Sequence, residues 1–416
     1  MSIVRTGFYS SLATAARLVA GLTVIKLVAW YAGPQGVGRL GQFMGLMSLL
    51  AVLAGGGISS GIVKYVAEYR HDTERLSRLL AAALWYALAA SCLIGCAALL
   101  FSHPITLWLL GDVHYENLVR VLAAAQLGIA LINYILAVIN GFMDVRRLAF
   151  IQVLGALLSV VMVAGLSWWL HLYGALLALV LSQVLLLMVG VPAWWRSPYF
   201  QRSMLRIRFD AEMTRRLAAF SVMTLTSSLL PLLINIAVRD HLARQFGWDH
   251  VGYWQAVSRV SDAYLLFLTT AINIYYLPRL AAINDRASLT LELRNACRHL
   301  LPAVMMLAAT IYVLREWLTR LLFSADFVAA NSLYAPQLAG DVIKITSFLL
   351  SYLMLAKAMT RVFVISECVF GLSYLALVYA FTSSFGLIGA MYAFAVNYVL
   401  YLAFNLWVAR RYLEAL

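Results

Sequence analysis

Several ionisable side chains lie inside stretches of the chain that are otherwise apolar enough to cross a membrane. They are Arg17, Lys26, Arg259, Asp262, Asp341, Lys344 and Glu367. A charge at the centre of a bilayer costs about 2.5–3.5 kcal/mol on insertion scales, so such groups face protein or water rather than lipid. Cations at this depth can bind an anion such as a pyrophosphate, and neighbouring carboxylates can hold the cations or exchange protons. These residues therefore predict recognition of an anionic group inside the membrane.

Two pairs of these charges are separated by three residues, Arg259 with Asp262 and Asp341 with Lys344. Residues at this spacing lie on one face of a helix. Two explanations stay open: salt bridges that hold helices in register, or a water-filled cavity between two halves of the protein that contains all of the charges. We prefer the cavity, because Arg17 has no partner in its own span and ion pairs in lipid are rarely kept for stability alone.

The elements that must position these charges are membrane-spanning helices. Of the 416 residues, 63% are hydrophobic and only 12% are charged, whereas a soluble domain has about 25% charged residues. Apolar windows of about 20 residues recur about twelve times. The predicted fold is thus an all-α polytopic membrane protein with about twelve transmembrane helices. Lys64 and Lys357 fall near the inner ends of their spans.

The net charge of +13 comes mostly from arginines in the connections on one side of the predicted helices. The connections on the other, outer side receive only Arg39, Arg120, Arg239, Arg244 and Arg320. This is the positive-inside pattern, and it predicts that both termini lie in the cytoplasm. The positive charge therefore requires no nucleic acid as a partner. The chain is expected to cross a membrane many times.

The second half of the chain repeats the first. "GPQGVGRLGQF" from Gly33 matches "GWDHVGYWQAV" from Gly247, and "YGALLALV" from Tyr173 matches "IGAMYAFA" from Ile388, each at a separation of about 214 residues. An even number of spans in each copy relates the copies by an axis along the membrane normal, as in one class of transporters. We expect a six-helix lobe at 1–195, a basic cytoplasmic linker at 196–216 and a second six-helix lobe at 217–416.

Motifs for catalysis are missing from the sequence. There is no P-loop, no cluster with metal-ligand spacing and no arguable set of Ser, His and Asp. The sequence predicts no metal, no cofactor and no catalytic residue, which leaves an ion gradient or the membrane potential as the source of energy.

Six segments carry a resemblance to a known family. "GPQGVG", "GGGISSGIVKYVAEY", "YWQAVSRVSDAYLLF", "YYLPRL", "QLAGDVIKITSFLLSYLMLAKA" and "GLIGAMYAF" resemble the bacterial lipid-linked oligosaccharide flippases of the Wzx type, and most closely the branch for the lipid III repeat unit of enterobacterial common antigen. This family belongs to the superfamily of the multidrug and toxin extruders and the lipid II flippase. The resemblance implies two six-helix lobes around a central cavity. It also implies a location in the bacterial inner membrane and an undecaprenyl pyrophosphate-linked oligosaccharide as the substrate, which is moved from the cytoplasmic to the periplasmic leaflet. A polysaccharide polymerase and a chain-length regulator are the further partners that it implies.

The expected site combines the membrane-depth charges with the positions that the resemblance carries over. Asp262, Asp341 and Glu367 are the expected coupling or charge-pairing residues, and the expected substrate-binding residues are Arg17, Lys26, Lys64, Arg259, Lys344 and Lys357. A related multidrug exporter is the first alternative, although a site for cationic drugs should be acidic and here bases outnumber acids. O-antigen repeat units are an alternative cargo. A polymerase, a glycosyltransferase or a scaffold for assembly is the alternative from another class, and the short outer loops disfavour the two enzymes.

Overall fold

Helices form almost the whole of the described structure. The computed structural model describes residues 3–55, 57–201, 207, 209–272, 276–283, 285–357 and 359–414, and no strand occurs among them. The first half contains α1 (Ile3–Ala54), α2 (Ser59–Tyr69), α3 (Thr73–Leu100), α4 (Ser102–Leu110), α5 (Glu116–Gly141), α6 (Val145–Leu185) and α7 (Leu187–Trp195). The second half contains α8 (Ala211–Phe246), α9 (Trp248–Ala271), α10 (Leu277–Ala282), α11 (Arg286–Val313), α12 (Arg315–Leu322), α13 (Tyr334–Ala356), α14 (Thr360–Phe385) and α15 (Ile388–Glu414).

The number of membrane-spanning segments agrees with the prediction. Within the described part of the chain, 8 helical stretches are long and apolar enough to cross a membrane. Two of them, Gly7–Ala54 with 48 residues and Val145–Trp195 with 51, are each long enough for two crossings, and single non-helical residues at Gly33 and His171 break them. Counting these two stretches twice gives ten crossings. The helices α8 and α9, which are more polar, bring the total to the predicted number of about twelve. The all-α polytopic fold is confirmed.

Local geometry supports the duplication seen in the sequence. Asp72 caps α3 by accepting a hydrogen bond from the Arg75 amide at 3.0 Å, and Asp285 caps α11 in the same way through Ser288 at 2.7 Å. Positive φ angles also recur at matching places: Gly33 (60°) pairs with Gly247 (88°), and His171 (49°) pairs with Gly386 (69°). Because a positive φ is rare outside glycine, this recurrence indicates a conserved chain path in both copies.

The two copies of the glycine motif contact each other reciprocally. A Cβ atom on Gly38 would lie 2.7 Å from the carbonyl oxygen of Trp248, and a Cβ on Gly252 would lie 2.0 Å from the carbonyl oxygen of Pro34. Gly38 corresponds to Gly252 in the repeat, and Pro34 corresponds to Trp248. The backbones therefore approach so closely that only glycine fits at either position.

Packing divides the chain into two units. Unit 1 comprises Met1–Ala32 and Arg39–Ile236, and unit 2 comprises Gly33–Gly38 and Ala237–Leu416. In unit 1 the core forms where α3, α5 and α2 pack, and in unit 2 α13 packs most extensively on α15 and α11. The boundary between the units falls inside α8. The lobes predicted at 1–195 and 217–416, and their relation by a membrane-normal axis, stay predictions.

Both described ends of the predicted linker are attached to unit 1. At its start the ring of Tyr199 stacks on Phe142 with centres 4.0 Å apart. At its end Arg78 donates to Asp210 at 2.8 Å, and this hydrogen bond lowers the pKa of Asp210 below its ordinary value. Residues 202–206 and 208, which carry much of the predicted basic charge, lie outside the described residues.

Candidate functional site: a buried polar network in unit 2

Asp341 is the centre of a hydrogen-bond network between α9 and α13. Its side chain is fully buried. One carboxylate oxygen accepts from the Ser261 hydroxyl at 2.6 Å and from the Tyr264 hydroxyl at 2.7 Å, and the other accepts from the Gln337 amide at 3.0 Å. These hydrogen bonds join four side chains from two helices. Buried polar groups in proteins are almost always hydrogen-bonded in this way.

Lys344 lies one turn further along α13 and is surrounded by aromatic rings. Its ammonium nitrogen is 5.5 Å from the ring centres of both Phe394 and Tyr398 on α15, and 5.9 Å from that of Phe348. These distances are in the range of cation–π interactions. The carboxylates of Asp262 and Asp341 are within electrostatic range of the ammonium. The oxygens of Asp341, however, accept from Ser261, Tyr264 and Gln337 rather than forming a simple pair with Lys344.

Arg239 of α8 adds a buried cation to the same unit. Its side chain is almost fully buried, its Nε donates to Gln255 at 2.7 Å, and its guanidinium carbon is 5.7 Å from the ring centre of Trp254. Asp262 attracts this guanidinium and Arg259 repels it. Arg259 is half-buried on α9, and Asp262 is exposed.

Glu367 and Lys357 lie at other places in unit 2. Glu367, exposed on α14, accepts a hydrogen bond from the Tyr401 hydroxyl at 2.6 Å. Lys357 directly follows α13, and its ammonium donates to the carbonyl oxygen of Ile283 after α10. Glu367 is therefore hydrogen-bonded to a side chain of α15, whereas Lys357 is hydrogen-bonded to a backbone carbonyl at the end of α10.

The remaining predicted residues belong to unit 1. Arg17 and Lys26 are both exposed on α1, and Lys64 is exposed on α2 with its ammonium 5.0 Å from the ring centre of Tyr65. The structure thus brings Arg259, Asp262, Asp341 and Lys344 into one region of unit 2. That they share a cavity with Arg17, Lys26 and Lys64 stays a prediction.

Arg239 is the residue that the sequence analysis missed. Counting charges in the connections assigned it to an outer loop, and that assignment was wrong because α8 continues to Phe246. The signal was present: from Pro231 to Gly247 the sequence contains no further proline or glycine to end a helix. Arg239 therefore had to be helical.

Residues 28–332 match the family described as polysaccharide biosynthesis protein. The chain belongs to this family. Curated relatives extend the similarity to the full length: the lipid III flippase of Escherichia coli is 33% identical over 416 residues, which cover 99% of this chain and 100% of the relative. The lipid III flippase of Shigella flexneri matches with the same identity and coverage.

Solved structures with the same fold are membrane transporters. A multidrug resistance transporter of the MATE family in an inward-facing conformation superimposes with a TM-score of 0.79 at 15% identity, covering 96% of this chain and 95% of that one. The lipid II flippase MurJ in an inward closed conformation gives a TM-score of 0.74 at 15% identity, covering 97% and 87%. At this identity the match concerns the fold alone, and it agrees with the predicted all-α polytopic fold.

Proposed function

We propose that this chain is a flippase that moves an undecaprenyl pyrophosphate-linked oligosaccharide from the cytoplasmic to the periplasmic leaflet of a bacterial inner membrane. The glycan is the lipid III repeat unit of enterobacterial common antigen. The observation that carries the proposal is the 33% identity to lipid III flippases over the whole of both chains. The relatives are transporters, so the chain is a transporter rather than a polymerase or a glycosyltransferase.

The chemistry of unit 2 suits a phosphorylated headgroup. Arg239, Arg259 and Lys344 supply three cations in one unit, and arginine presents a planar set of donors to phosphate oxygens. Asp341 holds α13 against α9 and so fixes the position of Lys344 one turn away. The rings of Phe394 and Tyr398 beside that ammonium offer flat apolar faces against which a sugar ring can pack.

The remaining predicted residues take supporting roles in this proposal. Arg17, Lys26 and Lys64 of unit 1 contact the substrate from the other half, and Lys357 attracts it at the cytoplasmic opening. Asp262 and Glu367 couple transport to an ion gradient or the membrane potential, by alternating access between the two leaflets. Both termini lie in the cytoplasm, and a polymerase and a chain-length regulator receive the translocated unit.

Complementation tests the proposal directly. The chain is expressed in cells that lack their own lipid III flippase, and in separate cells that lack an O-antigen flippase, and the surface glycans are measured. We expect enterobacterial common antigen to return in the first strain, and the O-antigen strain to stay unrepaired. Failure to restore either glycan, although the protein accumulates in the membrane, would overturn the proposal.

Matched variants separate transport from a scaffolding role. Lys344→Glu reverses the charge beside the aromatic rings, and we expect it to accumulate in the membrane without restoring the glycan. Arg410→Gln, at an exposed position near the end of α15, is the control and should restore it fully. A scaffold would tolerate both changes.

A further inference from the structure

A cavity of about 530 Å³ lies in unit 2 where α9, α10 and α11 meet. It is separate from the network around Asp341 and contains none of the predicted site residues. Its lining consists of Ile272, Tyr276, Arg279, Glu292, Asn295, Ala296, His299 and Leu300. A cavity of this size matches a small-molecule site.

The polar side chains of this cavity provide both signs of charge. Arg279 forms an ion pair with Glu292 at 2.9 Å, and Glu292 is only 8% exposed. His299 contacts the carbonyl oxygen of Asn295 through Nδ1 at 2.7 Å. A ligand that is to bind beside a buried ion pair must therefore satisfy a guanidinium and a carboxylate together.

The hydroxyl of Tyr276 is a second, independent feature of this cavity that points to a ligand. The residue is 3% exposed, and its hydroxyl has no hydrogen-bond partner in the described structure. A buried polar group without a partner costs about 1–3 kcal/mol. A ligand group that exchanges a hydrogen bond with this hydroxyl would recover that free energy.

The rest of the lining and the surroundings indicate a membrane lipid. Ile272, Ala296 and Leu300 make one part of the wall apolar, so the cavity is amphipathic. Arg286, Arg294 and Arg298 lie nearby on α11, on the side that the positive-inside pattern assigns to the cytoplasm. Basic pockets between helices on this side of a membrane are suited to lipid headgroups.

We propose that this cavity binds the headgroup of an amine-bearing phospholipid of the phosphatidylethanolamine type. The phosphate pairs with Arg279, the primary ammonium donates to Glu292, the Tyr276 hydroxyl donates to a phosphate or ester oxygen, and the first methylenes of the acyl chains contact Leu300. A choline headgroup has no N–H to donate to Glu292, and a glycerol headgroup has no positive charge to offer it. The site is independent of the proposed transport function.

Native mass spectrometry of the full-length protein tests this site. The delipidated protein is titrated with phosphatidylethanolamine, phosphatidylcholine or phosphatidylglycerol with identical acyl chains. We expect one molecule of phosphatidylethanolamine to be retained about tenfold more strongly than the other two, since a hydrogen bond to a charged group contributes about 1.5–3 kcal/mol. Equal retention of the three lipids, or strongest retention of phosphatidylglycerol, would overturn the proposal.

Variants assign the selectivity to this cavity. Tyr276→Phe removes only the hydroxyl and should weaken retention of phosphatidylethanolamine about fivefold while the fold is kept. Glu292→Gln should abolish the preference for the amine. Arg320→Gln changes an exposed arginine of α12 that does not line the cavity and should leave retention unchanged. If Tyr276→Phe and Glu292→Gln both retain the lipid as the unmodified protein does, the headgroup binds elsewhere.

Discussion

Helices α5 and α13 occupy corresponding places in the two copies of the repeat, and each buries a glutamine, Gln126 in α5 and Gln337 in α13. In α13, Gln337 donates to Ser261 at 3.2 Å and to Asp341 at 3.0 Å, so it joins two helices. In α5, Gln126 donates only to the Leu122 carbonyl of its own preceding turn, and its Oε1 has no partner within the described structure. The same residue type therefore belongs to a network between helices in unit 2 and bonds only within its own helix in unit 1.

The difference extends along both helices. From Leu122 to Gly141 α5 has no Asp, Glu, Lys, Arg or His, whereas α13 carries Asp341 and Lys344. Duplication has kept the caps, the positive φ angles and the chain path, but the charges have diverged. We infer that the second copy specialised in binding an anionic group, while the first copy contributes the exposed cations of α1 and α2.

The largest expected effect comes from Asp341→Ala. The change leaves the hydroxyls of Ser261 and Tyr264 without their acceptor, at about 1–3 kcal/mol for each unsatisfied group, and leaves the Gln337 amide with Ser261 alone. We expect a large fall in the melting temperature of the purified protein and loss of surface glycan. Asp341→Asn keeps the size of the side chain and one acceptor oxygen, so its melting temperature should lie between those of the alanine variant and the unmodified protein. An alanine variant that melts like the unmodified protein would show that the network does not hold α9 to α13.

A second large effect is expected where the two copies of the glycine motif contact each other. Gly252→Ala places a Cβ 2.0 Å from the Pro34 carbonyl oxygen, so the backbone of one copy of the glycine motif must move. We expect a lower melting temperature and reduced accumulation in the membrane. Gly165→Ala is the control, since a Cβ there would meet nothing within 4 Å. The close contact is refuted if both alanines are tolerated equally well.

The two glutamines give the most direct test of the comparison. Gln337→Leu removes donors from Asp341 and Ser261, whereas Gln126→Leu removes a bond within a single helix. We expect the first change to cost about 1–2 kcal/mol more than the second in chemical denaturation. Equal costs would mean that the two copies are energetically alike despite their different hydrogen bonds.

The smallest effect is expected at the linker in unit 1. The bond from Arg78 holds the pKa of Asp210 below its ordinary value. The stability that the Arg78–Asp210 bond contributes is therefore fully present above about pH 4, the ordinary pKa of an aspartate. This contribution is lost as the pH falls through the lowered pKa of Asp210 in the folded protein. Arg78→Gln should lower stability by less than about 1 kcal/mol at pH 7, and this difference from the unmodified protein should vanish at low pH. A difference that persists in acid would assign the effect to packing of Arg78.

Sequence reasoning predicted the membrane-spanning helices correctly, because membrane insertion leaves a strong pattern in composition. The same pattern made the charges within the spans conspicuous, and their shared role in one site stays a prediction. It placed Asp341 and Lys344 on one helical face but could not find the partners of Asp341, since Ser261 and Tyr264 come from a helix distant in sequence. The break at Gly33 was signalled by the Gly-Pro pair, whereas the break at His171 carried no such signal. Arg239 was misassigned because a charge near a helix end resembles a loop residue until its burial is known.

The central claim is that the buried charges of unit 2 act on a phosphorylated lipid headgroup, and translocation in proteoliposomes tests it most directly. Unmodified protein, Lys344→Arg and Lys344→Gln are reconstituted with a labelled undecaprenyl pyrophosphate-linked glycan, and the fraction moved across the bilayer is measured with time. We predict rapid movement by the unmodified protein, partial movement by Lys344→Arg and almost none by Lys344→Gln, whose melting temperature stays near that of the unmodified protein. Equal rates for all three proteins would contradict the account.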